Sequence, residues 1–311
     1  MNLTLSNTKN IFAQEIGALF GPLLLIECIL GISGNLLVVA AFAKKLVPIT
    51  PFNILLLNLS VADIFADVFF IPTLFRSIFE FIAARVGPVG VVCGVFKLGF
   101  PSYIGFGVNA LTVTYVSFIR IDSFGHRGKI LNKRYVSWFI KFSWIVSIAF
   151  VIPMHFIVAV DSEASQETGT CEIKNVKVFF TYLLLIFILF YIAPLTILLV
   201  NLIRTIKHIQ GRSLFQQSVL RVERKQISIL LISVTTFYFI FNIPYTARLL
   251  LKASGFLKNG NVDTTARRST IFIVFLTTLT DPILYALCNK GFRRGLLHPE
   301  NSEQNVSSTR E

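Results

Sequence analysis

The chain has 311 residues, of which 54% are hydrophobic and only 14% are charged, and 31 of them are phenylalanine. A water-soluble domain of this length is not so apolar, so we exclude an ordinary globular protein. The formal net charge is +13, and because the basic residues collect between apolar runs, it indicates membrane insertion rather than binding of nucleic acid.

Seven apolar windows of roughly 20 residues follow one another, which is the length that a helix needs to cross a bilayer. The second window carries Asp63 and Asp67, and the third carries several glycines, so these two are less uniformly apolar. We predict an all-α membrane protein, a bundle of seven transmembrane helices within residues 18–288. The windows are 18–43, 52–79, 90–119, 138–160, 178–203, 227–251 and 270–288.

The distribution of Lys and Arg predicts the orientation of the bundle. The segments after the odd-numbered helices are rich in basic residues, including Lys290, Arg293 and Arg294 after the seventh, so we assign them and the C-terminal residues 298–311 to the cytosol. Residues 1–17 then form a short extracellular N-terminus without a cleaved signal peptide, because they lack a basic start. We expect a multi-pass protein of the plasma membrane without a large extracellular domain, with Asn2 as a glycosylation acceptor.

Four polar side chains fall at one depth in the predicted helices. With a rise of about 1.5 Å per residue, each lies about 13–18 Å from the cytosolic face. Two carboxylates in a dry layer repel each other and need a cation, a shared proton or water. Na⁺ is the candidate metal ion because oxygen ligands suit hard ions, and the alternative is a structural water network alone. The four residues are Asn35, Asp63, Asn109 and Asp281.

Asp67 and Arg120 each allow two interpretations. Asp67 lies one turn outward of Asp63, where it either joins the polar layer from above or meets water near the outer side. We favour the second. Arg120 ends the third apolar run, where a basic side chain either extends to the membrane interface or has a functional role.

The ordered motifs of the chain resemble those of the rhodopsin-like (class A) G-protein-coupled receptors over residues 17 to 297. Each motif is weak alone, whereas the complete set on the correct helices is specific. It comprises a first-helix GxxGN, a second-helix NLSxAD, two cysteines, a third-helix arginine, a fourth-helix tryptophan and proline, two further helix prolines and a DPxxY motif. In this chain these are Gly31–Asn35, Asn58–Asp63, Cys93, Cys171, Arg120, Trp144, Pro153, Pro194, Pro244 and Asp281–Tyr285.

The resemblance implies a receptor that binds an extracellular ligand and activates heterotrimeric G proteins. Asp281 would join a sodium and water pocket with Asp63 and Asn35, and Pro282 would loosen the seventh helix. Tyr285 would swing inward on activation, and Arg120 would face the G protein. Cys93 and Cys171 would form a disulfide, and residues 289–297 a short amphipathic eighth helix. The serines of the tail either recruit arrestin once they are phosphorylated or have no such role.

The chain departs from the family pattern at two helices. The acid that precedes the third-helix arginine is replaced by Ile119, so Arg120 lacks its usual partner, and we expect raised basal signalling. The sixth-helix CWxP is replaced by FNIP, which places Asn242 beside Pro244 at the floor of the ligand pocket.

The spacing of the third helix is also unusual, because Cys93 and Arg120 are slightly further apart than in the family. We expect a bulge or kink to absorb the excess. The residues between them that favour one are Gly99, Pro101, Gly105 and Gly107.

The ligand class is restricted by two absences. No Asp or Glu occurs from Phe81 to Ile121, which argues against an amine ligand, and no Lys occurs from Ser269 to Asn289, which excludes a retinal Schiff base. Basic residues near the outer helix ends favour an anionic ligand, a lipid or an acidic peptide, unless they are merely solvated, and the acidic second loop equally suits a basic peptide. The candidate pocket residues are Lys97, Ser102, Tyr103, Asn242 and Arg248.

No catalytic constellation is found, so we expect no enzyme and no cofactor apart from the candidate Na⁺. Two alternatives to a coupled receptor remain. One is a receptor-like protein that does not engage G proteins, which the missing acid beside Arg120 favours. The other is a transporter or channel, but we find no internal repeat in the sequence, and transporters usually have one.

Overall fold

The structure, a computed structural model, describes residues 2–75, 99–124, 132–157, 176–210, 221–257, 261–288 and 292–293. This part of the chain contains seven helices and no strand. The helices are α1 (Asn2–Ala43), α2 (Pro51–Leu74), α3 (Phe100–Phe124), α4 (Lys133–Ile157), α5 (Val176–Phe187, a π-helical turn Ile188–Ile192 and Ala193–Gln210), α6 (Arg221–Ala253) and α7 (Asn261–Cys288).

Six helical segments among the described residues are long and apolar enough to cross a membrane. They are Leu19–Ala43, Pro51–Leu74, Phe100–Ile119, Lys133–Pro153, Thr181–Asn201 and Asp263–Leu287. The remaining predicted span, 227–251, lies within α6. Large apolar side chains such as Trp138 and Ile145 are 63% and 66% exposed on the outside of the bundle, where contact with lipid replaces the unfavourable contact with water.

We call one end of the bundle the outer end, following the predicted orientation. It is formed by the N-terminal ends of α1, α3, α5 and α7 and the C-terminal ends of α2, α4 and α6. The helix boundaries have local causes: α2 begins where the Thr50 hydroxyl accepts a hydrogen bond from the Asn53 N–H at 3.1 Å, with Pro51 in the first turn. Both are strong start signals for a helix.

The segment in which a bulge or kink was predicted, between Cys93 and Arg120, is described by the structure only from Gly99 onward. α3 is a regular α-helix from Phe100 onward, and its glycines are packing positions. A Cβ atom on Gly105 would lie 2.5 Å from the Ala62 carbonyl oxygen, and one on Gly107 would lie 2.7 Å from the Ser147 hydroxyl. The departure from helical backbone comes just before α3, at Gly99, whose φ is +62°, a conformation that glycine adopts without strain.

Other boundaries differ from the sequence prediction or lie outside the described residues. The helix α1 begins at Asn2, so the residues predicted as an extracellular N-terminus continue the first span as helix. Of the predicted eighth helix, 289–297, the structure describes residues 292 and 293, which are helical. Cys93, Lys97 and Cys171 lie outside the described residues, as do the side chains of Asn2 and Arg120.

Two apolar clusters fill the bundle above and below the polar residues. The cluster away from the outer end contains Tyr285, which is 1% exposed and packs with residues of α1, α2, α3, α5, α6 and α7. The cluster nearer the outer end joins α3, α4, α5 and α6 around Phe187, Phe190 and Tyr238. The buried polar groups therefore lie in a matrix of apolar side chains, where unpaired charge is costly.

Candidate functional site: a buried polar layer beneath an outer cavity

The four residues predicted at one depth are all buried, with exposures from 0% to 4%. Asn109 on α3 donates a hydrogen bond through its side-chain amide to Asp63 on α2. Asp281 on α7 is an electrostatic neighbour of Asp63. Asn35 on α1 donates to the main-chain carbonyl of Thr278 at 2.8 Å, which ties α1 to α7. We call Asn35, Asp63, Asn109 and Asp281 the polar layer.

A local cause explains the bond from Asn35. Pro282 lies inside α7 and has no N–H, so it leaves the carbonyl oxygen of Thr278, four residues earlier, without its helical donor. The Asn35 amide occupies that position, and it also donates to the Gly31 carbonyl of its own helix at 3.0 Å. The aspartate–proline pair in α7 thus places an acceptor and a carboxylate beside α1 and α2.

Oxygen atoms of the polar layer remain without a hydrogen-bond partner from the described protein residues. One side-chain oxygen of each of the four residues is in this state, and so is the hydroxyl of Tyr285. Buried polar atoms are normally paired, so these oxygens suit water or a hard cation. The described residues contain no grouping of three or more His, Cys, Asp or Glu that would hold a transition metal.

Asp67 does not meet water near the outer side, and that expectation is wrong. Its exposure is 0%, and it accepts a hydrogen bond from the Thr278 hydroxyl at 3.2 Å. Its second oxygen lies against α1, because a Cβ atom on Gly31 would be 2.5 Å from it. Sequence reasoning also missed its electrostatic neighbour Glu27, which is 4% exposed and has both carboxylate oxygens unpaired among the described residues.

A signal for Glu27 was present in the sequence. It stands eight residues before Asn35, so both side chains lie on the same face of α1. The inward face of a helix in a membrane protein is where ionisable residues are retained. An acid at that spacing within an apolar run is sufficient to place Glu27 on the side of α1 that faces the polar layer.

The second-helix motif joins three helices through Asn58. The Asn58 amide donates to the Thr112 hydroxyl on α3 at 2.9 Å, and its oxygen accepts from the Trp144 indole on α4 at 2.9 Å.

The described surroundings of Arg120 on α3 are one polar contact and one apolar cluster. Ser117, one turn before Arg120, accepts a hydrogen bond from the side-chain amide of Asn201 on α5 at 2.8 Å. The neighbour of Arg120, Ile119, is 5% exposed and packs in an apolar cluster.

The prolines of α5 and α6 flank a hydrogen bond between these helices. Pro194 follows the π-helical turn and has no N–H for the carbonyl of Phe190, four residues earlier. That carbonyl accepts a hydrogen bond from the Tyr238 hydroxyl on α6 at 3.1 Å. Asn242, two residues before Pro244, donates to the Tyr238 carbonyl at 2.7 Å, and its side-chain oxygen is unpaired within the described part of the chain.

A cavity of about 450 Å³ opens at the outer end. Of the predicted ligand-pocket residues, Ser102 and Tyr103 line it, whereas Asn242 and Arg248 do not. Arg248 instead forms an ion pair with Asp263 at 2.6 Å, and Lys252 pairs with the same carboxylate. The positions that the sequence did not single out as pocket residues include Phe20, Phe70, Tyr191, Tyr245 and Phe275.

The cysteines divide between buried and undescribed positions. Cys28 is a buried free thiol within α1. The predicted disulfide of Cys93 and Cys171 lies outside the described residues and stays a prediction.

Two comparisons bear on the family of the chain. A search of curated proteins returns no match. The sequence model of one protein family, described as "7 transmembrane receptor (rhodopsin family)", matches residues 34–285, which is well over half of the chain. The matched range includes all four residues of the polar layer and the complete motifs Asn58–Asp63 of α2 and Asp281–Tyr285 of α7.

Proposed function

Because the chain belongs to the rhodopsin family of seven-transmembrane receptors, we propose that it binds an extracellular ligand and activates heterotrimeric G proteins at the plasma membrane. Family membership makes it a multi-pass membrane receptor rather than an enzyme. The ligand and the coupling are our proposal, with the N-terminus outside and the basic loops facing the cytosol. Phosphorylation of the tail serines and binding of arrestin belong to the same proposal.

The observation that supports signalling best is the incompletely paired polar layer. Buried polar networks that satisfy every member fix a single structure. Here one oxygen on each of four residues, together with the Tyr285 hydroxyl, has no partner among the described residues. We infer that these atoms exchange partners between two arrangements of the layer, as the members of a two-state element do.

A ligand at the outer end acts on this layer through α7 and α6. The cavity is lined by the first turns of α7 and by Tyr245 of α6. Pro282 weakens α7 at the level of the polar layer, and Pro194 and Pro244 weaken α5 and α6. We propose that these helices shift at their prolines, that Tyr285 leaves its packed position, and that Arg120 then contacts the G protein.

We propose Na⁺ as an allosteric ion of the inactive state. Asp63, Asp281, Asn35 and Asn109 each have a buried side-chain oxygen without a partner among the described residues, and hard cations prefer oxygen ligands. The ion would balance the charges of the neighbouring carboxylates of Asp63 and Asp281, so its release would favour the other arrangement of the layer. Water alone is the competing occupant.

The residue before Arg120 supports raised basal signalling. Ile119 is packed in an apolar cluster with Leu55, Val116 and Val136, so it offers no charge to hold the arginine in a resting position. We propose that the inactive state is correspondingly less favoured. The same feature supports the second candidate, a receptor-like protein without coupling; a transporter or channel has no specific observation in its favour.

The test measures ligand-free signalling in transfected cells with a panel of G-protein activation sensors. Wild type is compared with Arg120→Ala, and Lys141→Ala is the matched control because it removes a positive charge from the exposed side of α4, where Lys141 lies over Trp138. Basal activity that disappears only in Arg120→Ala supports coupling. Basal activity that is present in wild type and unchanged in Arg120→Ala, at equal surface expression, contradicts it.

A further inference from the structure

The outer cavity lies on one side of the bundle rather than at its centre. Most of its lining comes from α1, α2, α3 and α7, with only one described residue each from α5 and α6, namely Tyr191 and Tyr245. The hydroxyl groups of Tyr103 and Tyr245, which both line the cavity, are hydrogen-bonded at 2.6 Å and join α3 to α6. A ligand in this space therefore touches the first turns of α7 directly.

The charge of the cavity wall is positive. Arg267 and Arg268, both exposed on the first turns of α7, are the only charged residues in its described lining. Among the described residues no carboxylate pairs with either of them. Two further basic side chains described at this end, Arg248 and Lys252, share the carboxylate of Asp263, which compensates one of their two charges. The two guanidinium groups thus concentrate uncompensated charge at the cavity, and Arg267 is close enough to Tyr245 to interact with it electrostatically.

Away from the two arginines the cavity wall combines apolar and aromatic side chains with the hydroxyl groups of serine, threonine and tyrosine residues. Phe20, Leu24, Phe70, Phe106, Val274 and Phe275 supply the apolar surface. Ser102 is 2% exposed, and its hydroxyl has no hydrogen-bond partner in the described part of the chain. The volume of about 450 Å³ falls within the range of small-molecule sites, roughly 300–1,000 Å³, and is too small to enclose a folded peptide.

We propose that this cavity binds an amphiphile with one oxyanion headgroup and an apolar body. Arg267 and Arg268 hold the oxyanion, since guanidinium groups recognise carboxylate and phosphate in a bidentate manner. The aromatic wall takes the apolar body, and Ser102 donates to an acceptor on the ligand. The signalling consequence of binding rests on the function proposed above, whereas binding itself does not.

The experiment measures direct binding to the full chain in nanodiscs of zwitterionic lipid, without any G protein. The probe is radiolabelled decanoate, competed by unlabelled decanoate, decyl phosphate, methyl decanoate and decyltrimethylammonium. The variants are Arg267→Gln with Arg268→Gln, each single change, and Ser102→Ala. Lys252→Gln is the matched control, because it removes a positive charge at the same end from a residue outside the cavity and leaves Arg248 paired with Asp263.

We expect saturable binding of decanoate or decyl phosphate that the ester and the cationic amphiphile do not compete. Loss of both guanidinium groups weakens it by at least about tenfold, the usual size of a charge-assisted hydrogen bond, while Lys252→Gln leaves it unchanged. Preference for decanoate or for decyl phosphate identifies the headgroup as carboxylate or phosphate.

Three results would overturn the proposal: no saturable binding of either anion to folded wild type, equal competition by methyl decanoate, or unchanged affinity in the double variant. Should the double variant fail to fold, the single arginine variants and Ser102→Ala decide the question. Because the assay contains no G protein, the binding result does not depend on whether the receptor couples to one. Silent G-protein sensors with intact binding would count against the proposed function alone.

Discussion

The side-chain amide of Asn35 is 2.8 Å from the carbonyl oxygen of Thr278, the acceptor that Pro282 leaves without its helical donor. This bond is a direct polar link between α1 and the weakened turn of α7. Asn35→Ala leaves the carbonyl buried and unpaired, so we expect the free energy of unfolding to fall by about 1–3 kcal/mol. Thermal unfolding of the purified receptor measures the loss.

Ser33→Ala is the control for Asn35→Ala. The Ser33 hydroxyl is exposed and bonds to Ile29 of its own helix at 2.7 Å, so its removal should leave thermal stability close to wild type. An equal loss of stability in both variants would show that the cost comes from α1 as a helix, and not from its link to α7.

Tyr238 and Phe190 provide the second proline-dependent contact. Tyr238→Phe removes the hydrogen bond to the Phe190 carbonyl, which Pro194 leaves unpaired, and should cost about 1 kcal/mol. In a Pro194→Ala background the main-chain N–H is restored and becomes a competing donor, so the same change should cost less. A double-mutant cycle on unfolding free energies measures this coupling.

The control for this cycle is Tyr182→Phe. Its hydroxyl also donates to a main-chain carbonyl, that of Phe150 on α4 at 2.9 Å, but no proline four residues later has freed that acceptor. Its effect should add to that of Pro194→Ala without coupling. Additivity for Tyr238 as well would refute a role of Pro194 in exposing the Phe190 carbonyl.

Gly31 allows the close approach of α1 to α2 and α7. A Cβ atom there would lie 2.5 Å from an oxygen of Asp67 and 2.9 Å from the Thr278 hydroxyl. Gly31→Ala should therefore destabilise the receptor by about 1–3 kcal/mol, the usual cost of overpacking. Gly21→Ala is the matched control, since nothing lies within 4 Å of its added methyl group. Cell-surface expression and thermal unfolding should separate the two, and comparable behaviour would contradict the packing.

The polar layer predicts a stabilising effect of sodium. If Na⁺ binds at Asp63 and Asp281 as we propose, it should stabilise the inactive receptor by about 1.4 kcal/mol when its concentration is about ten times the dissociation constant. We expect thermal unfolding to occur at higher temperature in NaCl than in choline chloride for wild type, and at equal temperatures for Asp63→Asn. Asp263→Asn should keep the sodium effect because Asp263 lies at the outer end. A sodium effect that survives in Asp63→Asn would favour a water network instead.

Simple physical rules were sufficient to predict, from the sequence, the helices and the depth of their polar residues. Apolar windows of the length of a bilayer predicted the spans, since a membrane leaves few alternatives to a helix. The depth of each polar residue in the membrane could also be predicted, because the rise of a helix per residue is constant. Asn35, Asp63, Asn109 and Asp281 were placed in one layer for this reason. Glu27 was within reach of the same rule and was overlooked.

What the sequence could not determine is how each helix rotates and which neighbour a side chain meets. Asp67 follows Asp63 by one turn, yet only the packing of Gly31 against α2 and α7 encloses it. Arg248 and Arg267 look alike in sequence, but Asp263 pairs with the first and leaves the second at the cavity. Composition and helix geometry are local properties and can be read from the chain alone; pairing between helices depends on tertiary packing, which brings together residues distant in the chain.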